Sequence, residues 1–167
     1  PAMSGSDPDE RKADLSDLRT VADYQFDEGA GTVLFPEGES LSIERSRSGR
    51  PRQVIADAGR VGSFTTDGRF TLGLEGGRRL QADRPEAYRI TVNAESEPYV
   101  QEGRNAFAKF VRGVDPQVRP DDEVCITSEG GELLGVGRAA LSAAGMEDFA
   151  TGMAVRTREG AGRGGES

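Results

Sequence analysis

Leu15, Leu18, Val21, Ala22 and Phe26 recur at spacings of three and four within ADLSDLRTVADYQF, which predicts a helix with one apolar face. Asp14 or Ser16 is suited to cap its start, and Gly29 and Gly31 follow its end. After GAGTVLFPEGE the period changes. SLSIERS, RQVIADAG and RVGSFTTDGRFTL are short β-prone runs bounded by Gly, Ser and Asp. RSRSGRPR reads as an Arg-rich hairpin tip, and DAGR and TDGR as tight turns. LEGGRRLQ reads as a short helix whose Gly pair permits close packing. Pro85 disfavours helix at Arg84 and sets a boundary there.

Beyond that boundary YRITVNA, AFAKFVRGV, EVCITS, LLGVGRAAL and MAVRTR read as strands. SEPYVQEG reads as a short helical turn closed by Gly103, and SAAGMEDFAT as a loop or short helix. Alternation along AFAKFVRGV puts Ala106, Ala108 and Phe110 on one side and Phe107 and Val111 on the other. Only one side of such a strand can face a ligand, so Phe107 and Phe110 are expected in the core rather than as stacking platforms. The expected fold class is α+β, with a small mixed α/β domain over residues 14–84 followed by a small β-barrel over 86–159. Residues 1–13 and the tail 160–167 are polar and Gly-rich and are expected to be disordered.

Composition supports two small cores over one large one, since only 35% of the 167 residues are hydrophobic and 6% aromatic. The chain has no His, no Trp and one Cys. A zinc site of His and Cys therefore lacks ligands, and Cys125, inside the apolar run EVCIT, is expected to be a buried structural thiol. Without a long apolar stretch or an apolar leader, a soluble, cytoplasmic protein is expected. No catalytic residue, metal or cofactor is expected either. The net charge of −8 argues superficially against a nucleic-acid partner. Abundant acid with Lys12 and Lys109 as the sole lysines instead suits a halophilic proteome, where surface acid keeps proteins hydrated. The charge is also uneven, because residues 45–89 carry 10 Arg against 5 acids. Arg45, Arg47, Arg50 and Arg52, with Arg78 and Arg79, make a candidate basic surface, whose plain alternative is a solvated hairpin. Asp121, Asp122 and Glu123 read as an acidic turn before a strand more readily than as a cation site.

The pieces VQEGRNAFAKFV, DDEVCIT, ELLGVGRAALS and TGMAVRTR follow one another in an order that resembles the PUA domain. That domain is the small pseudo-barrel shared by pseudouridine synthases and archaeosine-forming tRNA-guanine transglycosylases. Residues 18–82 resemble the domain preceding PUA in the archaeal transglycosylase, through LRTVADYQFDEGAG, RSRSGRPRQV and DGRFTLGLEGGRRL. The resemblance implies a mixed domain followed by a PUA-type β pseudo-barrel. The family's transglycosylase also has a large catalytic barrel with an aspartate nucleophile and a zinc site. This chain is too short for that barrel and lacks the ligands. The chain thus looks like the detached RNA-binding tail, either a split subunit, a paralogue working in trans or a fragment. The leading expectation is a non-catalytic module that binds the tRNA acceptor stem and assists tRNA modification, archaeosine formation, in trans. Its partner would be a catalytic tRNA-guanine transglycosylase or archaeosine synthase subunit.

The resemblance also implies an RNA groove between the turn after the short helix and the last strand. Here those elements are Gly103, Arg104 and Asn105 on one side and Arg156 and Arg158 on the other, with Lys109 and Arg112 nearby. Gly103 would let the backbone approach a phosphate, with neighbouring N–H groups facing the anion. The Arg forks match phosphate oxygens, Asn105 suits a base edge or ribose hydroxyl, and Lys109 adds charge. Arg156 and Arg158 also alternate as a solvated strand face would. The competing function is a protein-interaction subunit of an RNA-modifying complex, with a purely structural barrel.

Overall fold

The computed structural model describes residues 8–48, 51–65, 67–148 and 151–162. The chain divides into two compact units between Asp83 and Arg84. Among the described residues no helix is long and apolar enough to cross a membrane.

The first unit opens with α1 (Pro8–Phe26), which starts well before Asp14, so residues 8–13 are helical where disorder was expected. Proline fits a first helical turn, and Asp9 there complements the positive end of the helix. Leu18, Ala22 and Phe26 are buried along its inner face, while Leu15 and Val21 are half-buried. A second short helix, α2 (Ala30–Leu34), was not anticipated; Gly29 at its N-cap has φ 93° and redirects the chain. Arg19 Nε donates to the Phe35 carbonyl and Asp23 accepts from the Gly31 N–H, tying α1 to α2.

Strands β1 (Ser42–Arg45), β2 (Pro51–Ala56), β3 (Gly59–Phe64) and β4 (Phe70–Leu72) then form an antiparallel sheet in sequence order. Ile43 pairs with Val54, and Phe70 meets Phe35 and Phe64 with ring centroids 5.4 and 5.2 Å apart. Helix α3 (Leu74–Asp83) lies against β3, and a Cβ at Gly76 would come 2.1 Å from the Val61 carbonyl oxygen. Of the Gly pair, Gly76 is the one whose missing side chain permits this close packing. The Gln25 amide completes the β4 edge, accepting from Phe70 N–H at 3.0 Å and donating to Phe70 O at 2.8 Å.

Under α3 the buried Glu75 carboxylate accepts from Arg78 and from Arg79 Nε, each at 2.9 Å. Arg79 also forks onto Glu39 at 2.9 and 2.6 Å and reaches the Leu34 carbonyl at 3.0 Å. Burial pushes the Glu75 pKa up, but hydrogen bonds from Arg79 and Arg78 outweigh it and leave the group below its ordinary 4.5. A depressed folded pKa contributes stability above the unfolded value and loses it as pH falls through the folded one. The thermal midpoint of the first unit is therefore expected to drop as pH goes below 4.5, and Glu75→Gln to flatten that drop while lowering stability near neutrality. Calorimetry from pH 7 downward would measure both.

The second unit comprises β5 (Arg89–Val92), α4 (Glu97–Gln101), β6 (Ala106–Phe107) and β7 (Val111–Val114). It continues with β8 (Glu123–Thr127), β9 (Leu133–Ala139), α5 (Ala143–Asp148) and β10 (Met153–Gly160). Its sheet runs β6-β10-β9-β8-β5-β7, antiparallel except for β5 with β8. Ile90, Val92, Val100, Val124, Ile126, Leu134 and Val155 fill the interior of this nearly closed barrel.

AFAKFVRGV is a broken strand, contrary to the single strand expected. A 3₁₀ turn at Ala108–Phe110 separates β6 from β7. The reason is topological. Phe107 pairs with Met153 on β10 and Val111 with Val92 on β5, strands far apart in the sheet order. One straight strand cannot serve both, so the chain bends, and the bend closes the barrel.

Two further features sit in the wall. Cys125 is buried, and desolvation followed by the negative charge of Glu123 pushes its thiol up to about 12, so it stays protonated and inert. Glu123, whose side chain is 1% exposed, takes both nitrogens of the Arg158 fork at 2.8 and 2.6 Å. Asp122 accepts the Arg119 N–H and closes the turn before β8.

Candidate nucleic-acid interface

Helix α4 ends in a Schellman motif. Gly103, at φ 92°, donates to the Val100 carbonyl, and Arg104 N–H donates to Tyr99 O, both at 2.9 Å. These two amides are therefore consumed by the helix end and do not face an anion as the sequence reading had it. The turn that follows is pressed onto β10. Asn105 Oδ1 accepts from Thr157 N–H at 3.0 Å, and a Cβ on Gly160 would fall 2.3 Å from the Gln101 carbonyl oxygen. The expected gap between turn and last strand is closed.

The open groove lies on the other side of that turn. Ser96, Tyr99, Arg104, Asn105, Phe107, Lys109 and Phe110 line a cleft of about 350 Å³. Tyr99 is 51% and Phe107 45% exposed, which corrects the core placement of Phe107. Phe110 is half-buried. On a straight strand positions 107 and 110 would point to opposite faces; the 3₁₀ turn breaks that alternation and brings both rings to one cleft. Arg104 stacks over Tyr99 with its guanidinium carbon 5.7 Å from the ring centroid, and Lys109 Nζ sits 5.0 Å over Phe110. Arg104 is 69% exposed, and its nearest carboxylate, Glu102, is 3.9 Å away. With Asn105 Oδ1 engaged by β10, its NH₂ is the end offered outward.

Of the residues expected to hold RNA, Arg104, Asn105 and Lys109 converge on this cleft, with Gly103 supporting them from the turn. Arg112 is exposed on β7 and Arg156 is exposed on β10. Arg158 is committed to Glu123. The second basic surface is largely dismantled by pairing. Arg79 is locked between Glu39 and Glu75, Arg78 bonds Glu75, and Arg45 pairs with Asp14. Arg47 and Arg52 are exposed, and Arg50 lies outside the described residues. The aromatic trio Tyr99, Phe107 and Phe110 is what the sequence reading missed. Aromatic residues interleaved with Arg104 and Lys109 over a short stretch were the available signal.

Residues 16–86 match the family model of the patch-forming domain C2 of tRNA-guanine transglycosylase, and residues 88–161 match that of the PUA domain. The tRNA-guanine(15) transglycosylase of Pyrococcus furiosus is 43% identical over 145 residues, 86% of this chain and 24% of the relative. That of Methanothermobacter thermautotrophicus is 44% identical over 151 residues, 88% of this chain and 23% of the relative. The chain thus spans about a quarter of the length of these curated relatives. A hypothetical protein from Pyrococcus horikoshii shares the fold with a TM-score of 0.66 at 15% identity, covering 92% of this chain and 93% of that one. A conserved PUA domain protein from Thermoplasma acidophilum gives 0.60 at 20% identity, covering 92% of both chains. By sequence and by fold, then, the chain belongs to the C2 and PUA domain families, joined in the order found in the C-terminal region of archaeal tRNA-guanine transglycosylases.

Proposed function

We propose that this chain is a non-catalytic RNA-binding module that holds unpaired nucleotides at the end of a tRNA acceptor stem and serves tRNA modification, namely archaeosine formation. It works in trans with a catalytic tRNA-guanine transglycosylase or archaeosine synthase. The observation that carries this reading is the cleft in which exposed Tyr99 and Phe107 stand beside Arg104 and Lys109. Stacking on exposed rings and charge pairing with phosphate are the two physical means of holding unpaired RNA. The overall charge of −8 does not oppose this, because Arg104, Lys109, Arg112 and Arg156 are exposed in the same unit.

The test is a salt series of binding by tRNA transcripts with and without their unpaired 3′ nucleotides. Saturable binding that needs the unpaired end is expected. Its salt slope should be about −2 to −3, as three or four cations on single-stranded phosphate give. Equal affinity for the trimmed transcript, or none for either, would overturn the reading in favour of a protein-interaction role through exposed Arg47 and Arg52.

A further inference from the structure

Residues 1–44 hold 11 acidic side chains and three basic ones, and all three basic ones, Arg11, Lys12 and Arg19, line a single cleft. It measures about 410 Å³ and lies between α1 and the turn from Pro36 to Glu39, within the first unit. Arg11 and Arg19 stand eight residues apart on α1 with Leu15 midway, a stripe about 12 Å long at 1.5 Å per helical residue. Leu15 and Pro36 give the cleft an apolar middle.

These cations are not spent within the chain. Arg11 is half-buried and Lys12 exposed, and neither forms a hydrogen bond or ion pair among the described residues. Arg19 is half-buried as well, and donates through Nε alone, to the Phe35 carbonyl at 2.6 Å. Both terminal nitrogens of its fork stay unused. Half-buried guanidinium donors without a protein acceptor favour an anionic ligand. Of the two carboxylates at the cleft, Glu39 is already held by the Arg79 fork, so Glu37 is the one that opposes the stripe.

We infer that this cleft docks a short extended acidic segment of a partner protein, carrying two carboxylates four residues apart with an apolar residue between them. Alternate side chains of an extended chain share one face, so acid, apolar and acid at every second position point the same way. The outer two stand about 13 Å apart, the length of the stripe. One carboxylate meets Arg11 and Lys12, the other meets Arg19, and the central side chain falls on Leu15 and Pro36. An RNA strand fits less well. A polyanion continuing past the stripe meets the exposed Asp9 and Asp17 of α1 and Glu37 on the facing wall, whereas a segment with two charges ends before them. The inference goes beyond RNA binding and does not rest on it, because every residue of the aromatic cleft belongs to the second unit. It supplies a module that works in trans with a hold on a protein.

The experiment measures fluorescence anisotropy of three labelled peptides, SEGVGES, its glutamine counterpart SQGVGQS and its lysine counterpart SKGVGKS. The wild-type chain should bind the glutamate peptide saturably and at least about tenfold more tightly than the other two, as charge-assisted hydrogen bonds give. The double variant Arg11→Glu/Lys12→Glu should lose that preference and bind the lysine peptide more tightly than the wild type does. Neither residue has a partner to lose, so the thermal midpoint should hold. Hexauridylate should bind variant and wild type alike. No binding of the glutamate peptide, equal binding of all three peptides, or a glutamate preference that survives the double variant would overturn the docking site. A variant that weakens hexauridylate as much as the peptide would also overturn it, and would make the cleft a phosphate site instead.

Discussion

Arg158→Ala is expected to destabilise the barrel by about 3 kcal/mol, the low end for breaking a buried ion pair, while leaving the RNA affinity of the folded protein nearly unchanged. The reason lies in the partner. Glu123 is 1% exposed and both nitrogens of the Arg158 fork sit on its carboxylate, so truncation strips a buried charge of its bidentate partner. Arg158 itself is 29% exposed, which keeps the loss toward the lower bound. Replacing both partners, Arg158→Met with Glu123→Leu, should recover stability to within about 1 kcal/mol of wild type, because no charge is then left unpaired. Urea unfolding followed by circular dichroism measures all three chains. A stable Arg158→Ala protein that had lost RNA binding would reverse the assignment and return Arg158 to the interface.

Arg158 also shows where sequence pattern stops informing. Elements with local causes were readable. The apolar spacing of Leu18, Ala22 and Phe26 gave the face of α1, and Gly103 marked the end of α4. The barrel strands β5, β8, β9 and β10 followed from their apolar runs and turn residues. What failed depends on partners distant in sequence. Arg158 meets Glu123 across 35 positions and Arg79 meets Glu39 across 40, so neither pairing shows in the local pattern of charge. The start of α1 was lost to a polar composition that reads equally as disorder. The break in AFAKFVRGV is dictated by the two different strands its halves must join, and no residue within it announces the 3₁₀ turn. Since that turn brings Phe107 and Phe110 to one cleft, the interleaving of aromatic and basic residues could flag the stretch but not the convergence of its rings.

The aromatic cleft gives the largest expected effect on binding. Tyr99→Ala and Phe107→Ala should each weaken single-stranded RNA binding by about tenfold or more, since stacking contributes about 1–3 kcal/mol per base. Both rings are about half exposed, so neither truncation opens a cavity and stability should hold. Tyr99→Phe should retain most of the affinity, because the ring face does the work. The double variant then decides how the cleft is used. Two rings clasping one base act as a unit, and the double variant should be little worse than the weaker single; rings serving successive bases should give additive losses. Salt dependence separates stacking from charge. The aromatic variants should lower affinity at every salt concentration and keep the slope, whereas Arg104→Ala and Lys109→Ala should each reduce the slope by about 0.7. Aromatic truncation without loss of affinity would remove the cleft from the interface and shift the binding to exposed cations outside it, such as Arg112 and Arg156.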